Sequence, residues 1–420
     1  MDNAPCARQS NERDGIDVKA AVREANLDAS IVPGDRQDET ASPSLYATRK
    51  EVLDHLRTQG FKVSEGGLIM PVSDIKESVR ALHDEAVLAQ RDRAAPALGR
   101  HDAAFQLRLA AGDEIDPSNI RPRLIRVERN TPNALLWRWC SLHWSIPVSS
   151  GYGRRLRFLV VDAAHNNAVV GLIGLADPVY AMGVRDQTIG WSPEQRRARL
   201  TSVMDAFVLG AVPPYSYLLG GKLMAMLLAS TEIRDVFSAV YSHKVTLIEG
   251  RDPNAQLALV TTTSALGRSS VYNRVRRRDG SNVLSSVGYT IGSGDFHFSG
   301  AIYEKLASLA NEHNHTGETH RHARWGKGFR NRREVIQRAL KVLDLDPYRL
   351  RVHGIKREVF LTPQATNTYE YLRGEVNELS WLAEPADDIA TWWKERWAVP
   401  RAASTDAWKD FRPSSWQLYS

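Results

Sequence analysis

Short apolar stretches in the middle of the chain alternate with turn residues, and this pattern predicts a β-sheet with helices around it. The first two strands, Leu156–Asp162 and Ala168–Ala176, flank the turn-forming sequence Ala-His-Asn-Asn. Further strands are expected at Val245–Glu249, Leu257–Thr262 and Ser286–Gly292. A short helix, SSVYNRV, is expected just before the last strand. The pattern therefore predicts an α/β (α+β) protein with a mixed sheet.

One stretch of this region, Leu200–Ser230, has the order strand, tight loop and helix start. The pair Pro213-Pro214 ends the strand, because proline lacks the N–H group of a β-ladder. The pair Gly220-Gly221 lets the backbone turn sharply before an apolar helix that begins near Lys222. Free N–H groups at a helix start favour an anion, so the arrangement is typical of a phosphate-binding loop. A plain strand-to-helix connection is the alternative.

The order of elements from Arg154 to Gly292 resembles the GNAT acyltransferase fold. Both have a hairpin, a central strand, a phosphate-type loop, a helix, a strand, a short helix with a tyrosine and a further strand. The resemblance implies an acyl-coenzyme A cofactor, with its pyrophosphate in the loop. It assigns four loop positions to the cofactor: Tyr217, Gly220, Gly221 and Lys222. Tyr217 stands where that family has Gln or Arg, and Lys222 stands where it has Gly or Ala.

A second candidate anion site precedes the short helix, where serine caps and free N–H groups are expected together. It comprises Ser264, Gly267, Arg268 and Ser269.

An acyltransferase also needs a general base and a general acid. Asp205 is the candidate base, Tyr272 the acid and His297 an alternative base. Each has a structural alternative: Asp205 caps a backbone group or pairs with Arg185, Tyr272 packs, and His297 is a core histidine. Arg185 and its neighbour Asp186 are interpreted as a structural or functional pair near this site.

Two basic runs indicate a nucleic-acid partner, because arginine and lysine neutralise backbone phosphates. The first run comprises Arg274, Arg276, Arg277 and Arg278. The second comprises Arg321, Arg324, Lys327, Arg330, Arg332 and Arg333, with Trp325 among them. Two solvated charge runs are the alternative. Two further clusters are interpreted as structural. The histidines of residues 313–322 form a polar loop rather than a metal site. Trp137, Trp139 and Trp144 form part of the packed core.

Longer motifs resemble the DruA family of the Druantia anti-phage defence system. They are RDQTIGW at 185–191, VMDAFVLGAVPPYSYLLGGKL at 203–223, TTTSALGRSSVYNRV at 261–275 and GYTIGSGDFHFS at 288–299. The likeness continues in HGIKREVF and in the tryptophan-rich end. It implies a role in defence against phage, with other proteins of the system, such as a helicase, as possible partners.

Composition and charge bound the remaining expectations. The 420 residues include 43% hydrophobic residues, two cysteines and a formal net charge of +6, which favour a cytoplasmic protein without a disulfide framework or membrane partner. Four segments are expected: a flexible leader (1–44), a helical region with a possible winged helix (45–150), the GNAT-like core (151–300) and a C-terminal extension with a basic loop (301–420). The primary hypothesis is a DruA-like defence protein that engages nucleic acid. An acyl-CoA-dependent N-acyltransferase acting on a protein or nucleic-acid amine is the alternative.

Overall fold

The computed structural model describes residues 43–64, 67, 69–73, 75–149, 153–245, 250, 252–313 and 331–419. The chain divides into two units, one that ends at Ala47 and one that spans Thr48–Ser420. Of the first unit the structure describes only Pro43–Ala47, the start of a helix. Apart from the first residues of that helix, all that follows concerns the second unit.

Helices surround a central sheet. The α-helices are α1 (Pro43–Thr58), α2 (Lys76–Ala81), α3 (Asp84–Leu98), α4 (Asp102–Gln106), α5 (Pro132–Ser141), α6 (Gly183–Ile189), α7 (Pro193–Arg199), α8 (Gly220–Leu227), α9 (Thr231–Tyr241), α10 (Gly300–Glu312), α11 (Arg332–Val342), α12 (Thr368–Arg373), α13 (Ala386–Trp393) and α14 (Val399–Ser404). A π-helical turn, Lys394–Ala398, joins the last two helices.

The strands form two sheets. They are β1 (Phe61–Val63), β2 (Ile69–Pro71), β3 (Pro122–Arg126), β4 (Arg155–Asp162), β5 (Ala168–Ala176), β6 (Val203–Ala211), β7 (Leu259–Thr263), β8 (Ser285–Tyr289) and β9 (Glu358–Pro363). Strands β1 and β2 pair with each other, and the other strands form one seven-stranded sheet in the order β3-β4-β5-β6-β7-β9-β8. Within this sheet β6 and β7 run parallel and the other neighbouring pairs run antiparallel, so the sheet is mixed. The predicted mixed α/β fold is confirmed.

The parallel pair at the centre of the sheet is short. Strands β6 and β7 pair from Val203↔Leu259 to Ala206↔Thr262, whereas β6 continues to Ala211. Because β7 ends at Thr263, the residues of β6 beyond Ala206 have ladder partners in β5 only. The cis pair Pro213-Pro214 and α8 follow this unpaired edge of β6.

Distant parts of the chain contribute strands to the large sheet. β3 precedes the predicted core segment, and β9 comes from the C-terminal part and lies between β7 and β8. Sequence neighbours alone do not indicate such an insertion, because strand pairing over long separations is decided by side-chain packing. The expected strand Val245–Glu249 lies mostly outside the described residues, and the expected helix SSVYNRV is one 3₁₀ turn, Tyr272–Arg274.

The two faces of the sheet carry different cores. On one face α8, α9 and α13 pack over apolar residues such as Met204, Ala206 and Phe360. On the other face α5 brings the buried Trp137 and Trp139 against β4, β5 and β6. A Cβ at Gly174 would lie 2.9 Å from the Trp137 ring, so glycine is needed for this close approach. The tryptophans of α5 are therefore packing residues.

Candidate functional site

The predicted phosphate-type loop turns into α8 through Leu219, which has a left-handed backbone (φ 61). Gly220 opens the helix, and a Cβ there would lie 2.7 Å from the Tyr215 carbonyl oxygen. A Cβ added at Gly221 would have no other atom within 4 Å. Packing therefore requires the first glycine, while the second leaves open space at the start of α8.

Lys222 lies across the gap between α8 and the 272–276 segment. Its Nζ donates a hydrogen bond to the Arg274 carbonyl oxygen (3.0 Å) and lies 5.1 Å from the centre of the Trp397 ring. Burial lowers the pKa of Lys222, and the nearby cations Arg274, Arg396 and Arg276 lower it further. The lysine thus joins three segments at a point where several positive charges meet.

The C-terminal segment covers the loop. Trp393 Nε1 donates a hydrogen bond to the Leu219 carbonyl oxygen (3.1 Å), and Arg401 Nε donates to the Tyr217 carbonyl oxygen (3.4 Å). Trp393 is fully buried. Trp393, in the tryptophan-rich end of the chain, therefore docks directly on the candidate loop.

A carboxylate of the chain itself occupies the second candidate anion site. Glu358, at the start of β9, accepts hydrogen bonds from the Ser269 backbone N–H (2.9 Å), Asn273 Nδ2 (3.0 Å) and Ser286 Oγ (2.8 Å). Its own N–H donates to Ser264 Oγ (3.0 Å) and to the Gly267 carbonyl oxygen (3.1 Å). The N–H group predicted to hold an external anion thus holds Glu358.

The hydrogen bonds decide the ionisation of Glu358. Burial raises its pKa, but the bonds from Asn273, Ser269 and Ser286 and the nearby Arg268 outweigh burial, so the net shift is downward. Sequence reasoning missed this residue. The signal was a single acidic residue at the start of the apolar run in HGIKREVF.

The candidate base, Asp205, accepts a hydrogen bond from Thr261 Oγ1 (2.6 Å) on the neighbouring strand. Burial raises the pKa of Asp205, whereas the Thr261 hydroxyl and the charges of Arg185 and Arg155 oppose the shift. The guanidinium of Arg185 bonds to its neighbour Asp186 (Nε to Oδ1, 2.8 Å) and to two backbone carbonyls. Arg185 and Asp186 are thus bonded to each other at the start of α6.

The candidate acid, Tyr272, packs edge-on against Phe360, with ring centres 5.3 Å apart. Burial raises the pKa of Tyr272 to about 12. In the register of β7 and β9, Thr261 pairs with Leu361 and Thr262 with Phe360. Since side chains alternate along a strand, Thr261 and Phe360 lie on opposite faces of the sheet. The structure therefore places Asp205 and Tyr272 on opposite faces.

The alternative base, His297, is fully buried among aromatic rings. Its Nε2 donates to the Leu350 carbonyl oxygen (2.8 Å), and its ring packs against Phe61 and His353. Burial lowers the pKa of His297 to about 3. Among the described residues none of its contacts is with Asp205 or Tyr272, which favours the core-histidine interpretation.

The first basic run splits into neutralised and free arginines. Arg277 pairs with Glu384, and Arg278 pairs with Glu395 (3.0 Å). Arg274 and Arg276 are exposed, and within the described ranges no acid pairs with either. The free positive charge of this run is therefore concentrated on Arg274 and Arg276.

The second basic run falls mostly outside the described residues, which exclude Arg321, Arg324, Lys327 and Arg330. Arg332 begins α11, donates to Ser299 Oγ (3.1 Å) and lies 4.0 Å from the centre of the Tyr303 ring. Arg333 is 3.6 Å from Asp295. Both described members of the run are thus engaged with the body of the protein.

Cations and tryptophans from separate segments meet beside the loop. We call this set the basic–aromatic surface; its members are Lys222, Arg274, Arg276, Arg396, Trp392 and Trp397. The rings of Trp392 and Trp397 meet edge to face (5.9 Å), and Trp392 Nε1 donates to the Arg276 carbonyl oxygen (2.9 Å). Sequence reasoning missed Arg396. Its only signal was its place between the tryptophans of WWKERW.

The portion of the chain described by the structure holds no cluster of three or more His, Cys, Asp or Glu side chains suited to a metal ion. Across the same residues no helix has the length and apolar content needed to cross a membrane.

Comparison with known proteins identifies the family. The family described as Druantia protein DruA matches residues 73–374. The chain is 41% identical over 358 residues to the Druantia protein DruA of Escherichia coli (strain UMEA 4076-1), an overlap that covers 84% of this chain and 87% of that protein. No solved structure matches at a significant level. The protein therefore belongs to the DruA family, the anti-phage defence family that its motifs resemble.

Proposed function

We propose that this DruA-family protein binds nucleic acid through the basic–aromatic surface. The observation that carries the proposal is the convergence of Lys222, Arg274, Arg276 and Arg396. Lys222 Nζ bonds to the Arg274 carbonyl oxygen (3.0 Å), Lys222 and Arg396 lie 5.1 and 6.0 Å from the centre of the Trp397 ring, and Trp392 bonds to the Arg276 carbonyl oxygen (2.9 Å). Like charges brought together repel one another, so the cluster favours a polyanion that neutralises them. Nucleic-acid phosphates are such a polyanion.

The aromatic members of the surface favour nucleic acid over other polyanions. Trp392 and Trp397 lie next to the cations, since Lys222 and Arg396 each contact the Trp397 ring. Tryptophan rings stack on bases of any sequence, and basic side chains follow the backbone. The composition thus suits a single strand, or a duplex with unpaired bases.

A GNAT-like scaffold for this surface is part of the proposal. Its support is the run of antiparallel strands β3 to β6, then the loop and α8, then the parallel β7. The edge of β6 that has no partner in β7 beyond Ala206 adds to that support. Under this proposal the loop and α8 anchor the basic–aromatic surface, with the C-terminal tryptophans docked on them.

Fluorescence anisotropy with a labelled 20-nucleotide single strand, titrated with protein at several salt concentrations, tests the proposal. We expect log Kd to rise with log[salt], because the bound phosphates release counterions. The variant R274A/R276A/R396A should bind more weakly, and its salt slope should fall by roughly one for each phosphate that the variant no longer neutralises.

A matched variant, R93A/R123A/K341A, removes the same charge from exposed positions on other elements. Its binding should stay near that of the wild type. Equal weakening in both variants would mean that net charge alone drives binding, and unchanged binding by R274A/R276A/R396A would refute the proposed surface.

Acyl transfer is a second candidate, and the unpaired edge of β6 beyond Ala206 and the open space at Gly221 favour it. The free N–H groups at the helix start suit a coenzyme pyrophosphate. Thermal unfolding with millimolar acetyl-coenzyme A tests it, since ligand at a hundred times its Kd stabilises by about 2.7 kcal/mol. Gly221→Val fills the open space and should abolish the shift. An unchanged melting temperature in the wild type would remove this candidate.

A further inference from the structure

A cleft of about 260 Å³ lies beside the basic–aromatic surface, between the 277–283 segment and α13. Its apolar walls are Met226, Val283 and Ile389, and it shares Trp392 with the surface. The volume falls just below the ~300–1,000 Å³ range of drug-sized ligand sites. It therefore suits one flat ring system better than a longer ligand.

The polar groups of the cleft have opposite signs on opposite walls. Arg277 and Arg278 come from the segment after the 3₁₀ turn, and Glu384 and Asp388 come from α13 and the residues just before it. Arg277 Nε donates to Glu384, while its Nη2 is buried and has no partner among the described residues. Within the same part of the chain no hydrogen bond or ion pair engages the Asp388 carboxylate. Arg277, which lines the cleft, thus has one unpartnered N–H donor, and the Asp388 carboxylate on the opposite wall is a free acceptor.

A ligand for this cleft needs a flat body, an acceptor for the guanidinium and N–H donors for the carboxylate. Guanine meets all three needs, because O6 and N7 accept from arginine and two adjacent N–H groups on its pairing edge suit one carboxylate. Adenine and cytosine present a single amino group to a carboxylate. The pairing edge of guanine is accessible only when the base is unpaired.

We infer that the cleft receives one unpaired guanine from a nucleic acid held on the basic–aromatic surface. The inference rests on the proposed nucleic-acid function and deepens it. The base stacks beside Trp392, Arg277 Nη2 donates to its O6 or N7, and Asp388 accepts from its N1–H and N2–H groups. The protein would then read unpaired guanine within otherwise sequence-independent binding.

Binding of the full chain to four labelled 12-nucleotide strands tests the inference. Each strand is oligo-dT with one central position that is dT, dG, dA or dC. We expect the dG strand to bind roughly tenfold more tightly than the other three, within the range of discrimination for one base read by hydrogen bonds. Asp388→Asn should remove the preference and leave the all-dT strand bound as in the wild type.

Asp387→Asn is the matched control, since Asp387 is exposed on the same helix and does not line the cleft. It should keep the guanine preference. Equal binding of all four strands by the wild type, or a preference that persists in Asp388→Asn, would overturn the inference and leave the surface proposal standing. Failure of every strand to bind would instead refute the proposed function.

Discussion

Replacement of Glu358 is the sharpest test of how the 264–274 segment is held. The Glu358 carboxylate receives the Ser269 N–H, the Asn273 amide and the Ser286 hydroxyl at 2.8–3.0 Å. Glu358→Ala leaves all three donors without their acceptor, and Glu358→Gln removes the charge while it keeps one acceptor oxygen. The Asn273 and Ser286 bonds help to hold the 3₁₀ turn and β8 against β9.

The magnitude follows from these hydrogen bonds. A hydrogen bond to a charged group contributes about 1.5–3 kcal/mol when buried, and these three lie in a partly buried site, so about 1 kcal/mol each is a fair scale. Glu358→Ala should therefore lower the free energy of unfolding by about 3 kcal/mol, and Glu358→Gln by about half of that. Against a total of ~5–15 kcal/mol the alanine effect is large.

Urea unfolding followed by tryptophan fluorescence measures the effect, and its pH dependence identifies the charge. The folded-state pKa of Glu358 lies below its ordinary 4.5. Its stabilisation is thus fully present above the unfolded pKa and disappears as the pH falls through the folded pKa. The gap between wild type and Glu358→Gln should be constant near pH 7 and narrow below about pH 4.5.

Glu375→Gln is the control, since Glu375 is exposed and pairs with Arg373 (2.7 Å) at the surface. It should change stability by less than about 1 kcal/mol. Equal stability of Glu358→Gln and the wild type at pH 7 would show that the charge of Glu358 does not stabilise the fold. A stability gap that is unchanged at about pH 3.5 would show that the carboxylate is not its source.

Three further outcomes are expected. Gly220→Ala should lower the free energy of unfolding by about 1–3 kcal/mol, because its Cβ would lie 2.7 Å from the Tyr215 carbonyl oxygen. Gly221→Ala should be nearly neutral, and equal effects of the two variants in urea unfolding would contradict the loop packing. Trp393→Phe should lower the free energy of unfolding by about 1 kcal/mol or more, because the hydrogen bond to the Leu219 carbonyl oxygen cannot form. It should also raise proteolytic cleavage of the C-terminal segment, and an uncleaved variant would contradict the docking role of Trp393. Burial lowers the pKa of His83, His297 and His353 to about 3, so the stabilisation by their neutral forms is present above pH 6.5 and disappears as the pH falls toward 3. His353→Gln should therefore reduce the slope of the unfolding free energy against pH in this acid range by the equivalent of about one proton. An unchanged slope would show that His353 does not contribute.

Local sequence patterns predicted much of the framework. The spacing of apolar residues indicated β4, β5, β7 and β8, the proline pair marked the end of β6, and the glycine pair marked the turn into α8. These features depend on backbone freedom and on side-chain periodicity over a few residues, which a sequence displays directly. The family motifs were likewise visible in the sequence, and the comparisons confirm the family.

The partners of the candidate residues were not visible in the sequence, because they come from distant segments. Glu358 reaches Ser269 across 89 residues, and Trp393 reaches Leu219 across 174. Nor could the sequence show that Asp205 and Tyr272 lie on opposite faces of the sheet, because the face of a residue depends on strand register rather than on sequence order.

The sequence by itself determined the family, the mixed α/β class, the loop at Pro213–Lys222 and the presence of a basic run beside it. Only the tertiary structure decided which charges stay free. It neutralises Arg277 and Arg278 with Glu384 and Glu395, and it adds Arg396 and two tryptophans to Arg274 and Arg276. The physical reason is that the interaction energy of two charges depends on the distance between them. Folding brings an arginine within a few ångströms of an acid that is more than a hundred residues away in the sequence, as it does for Arg278 and Glu395.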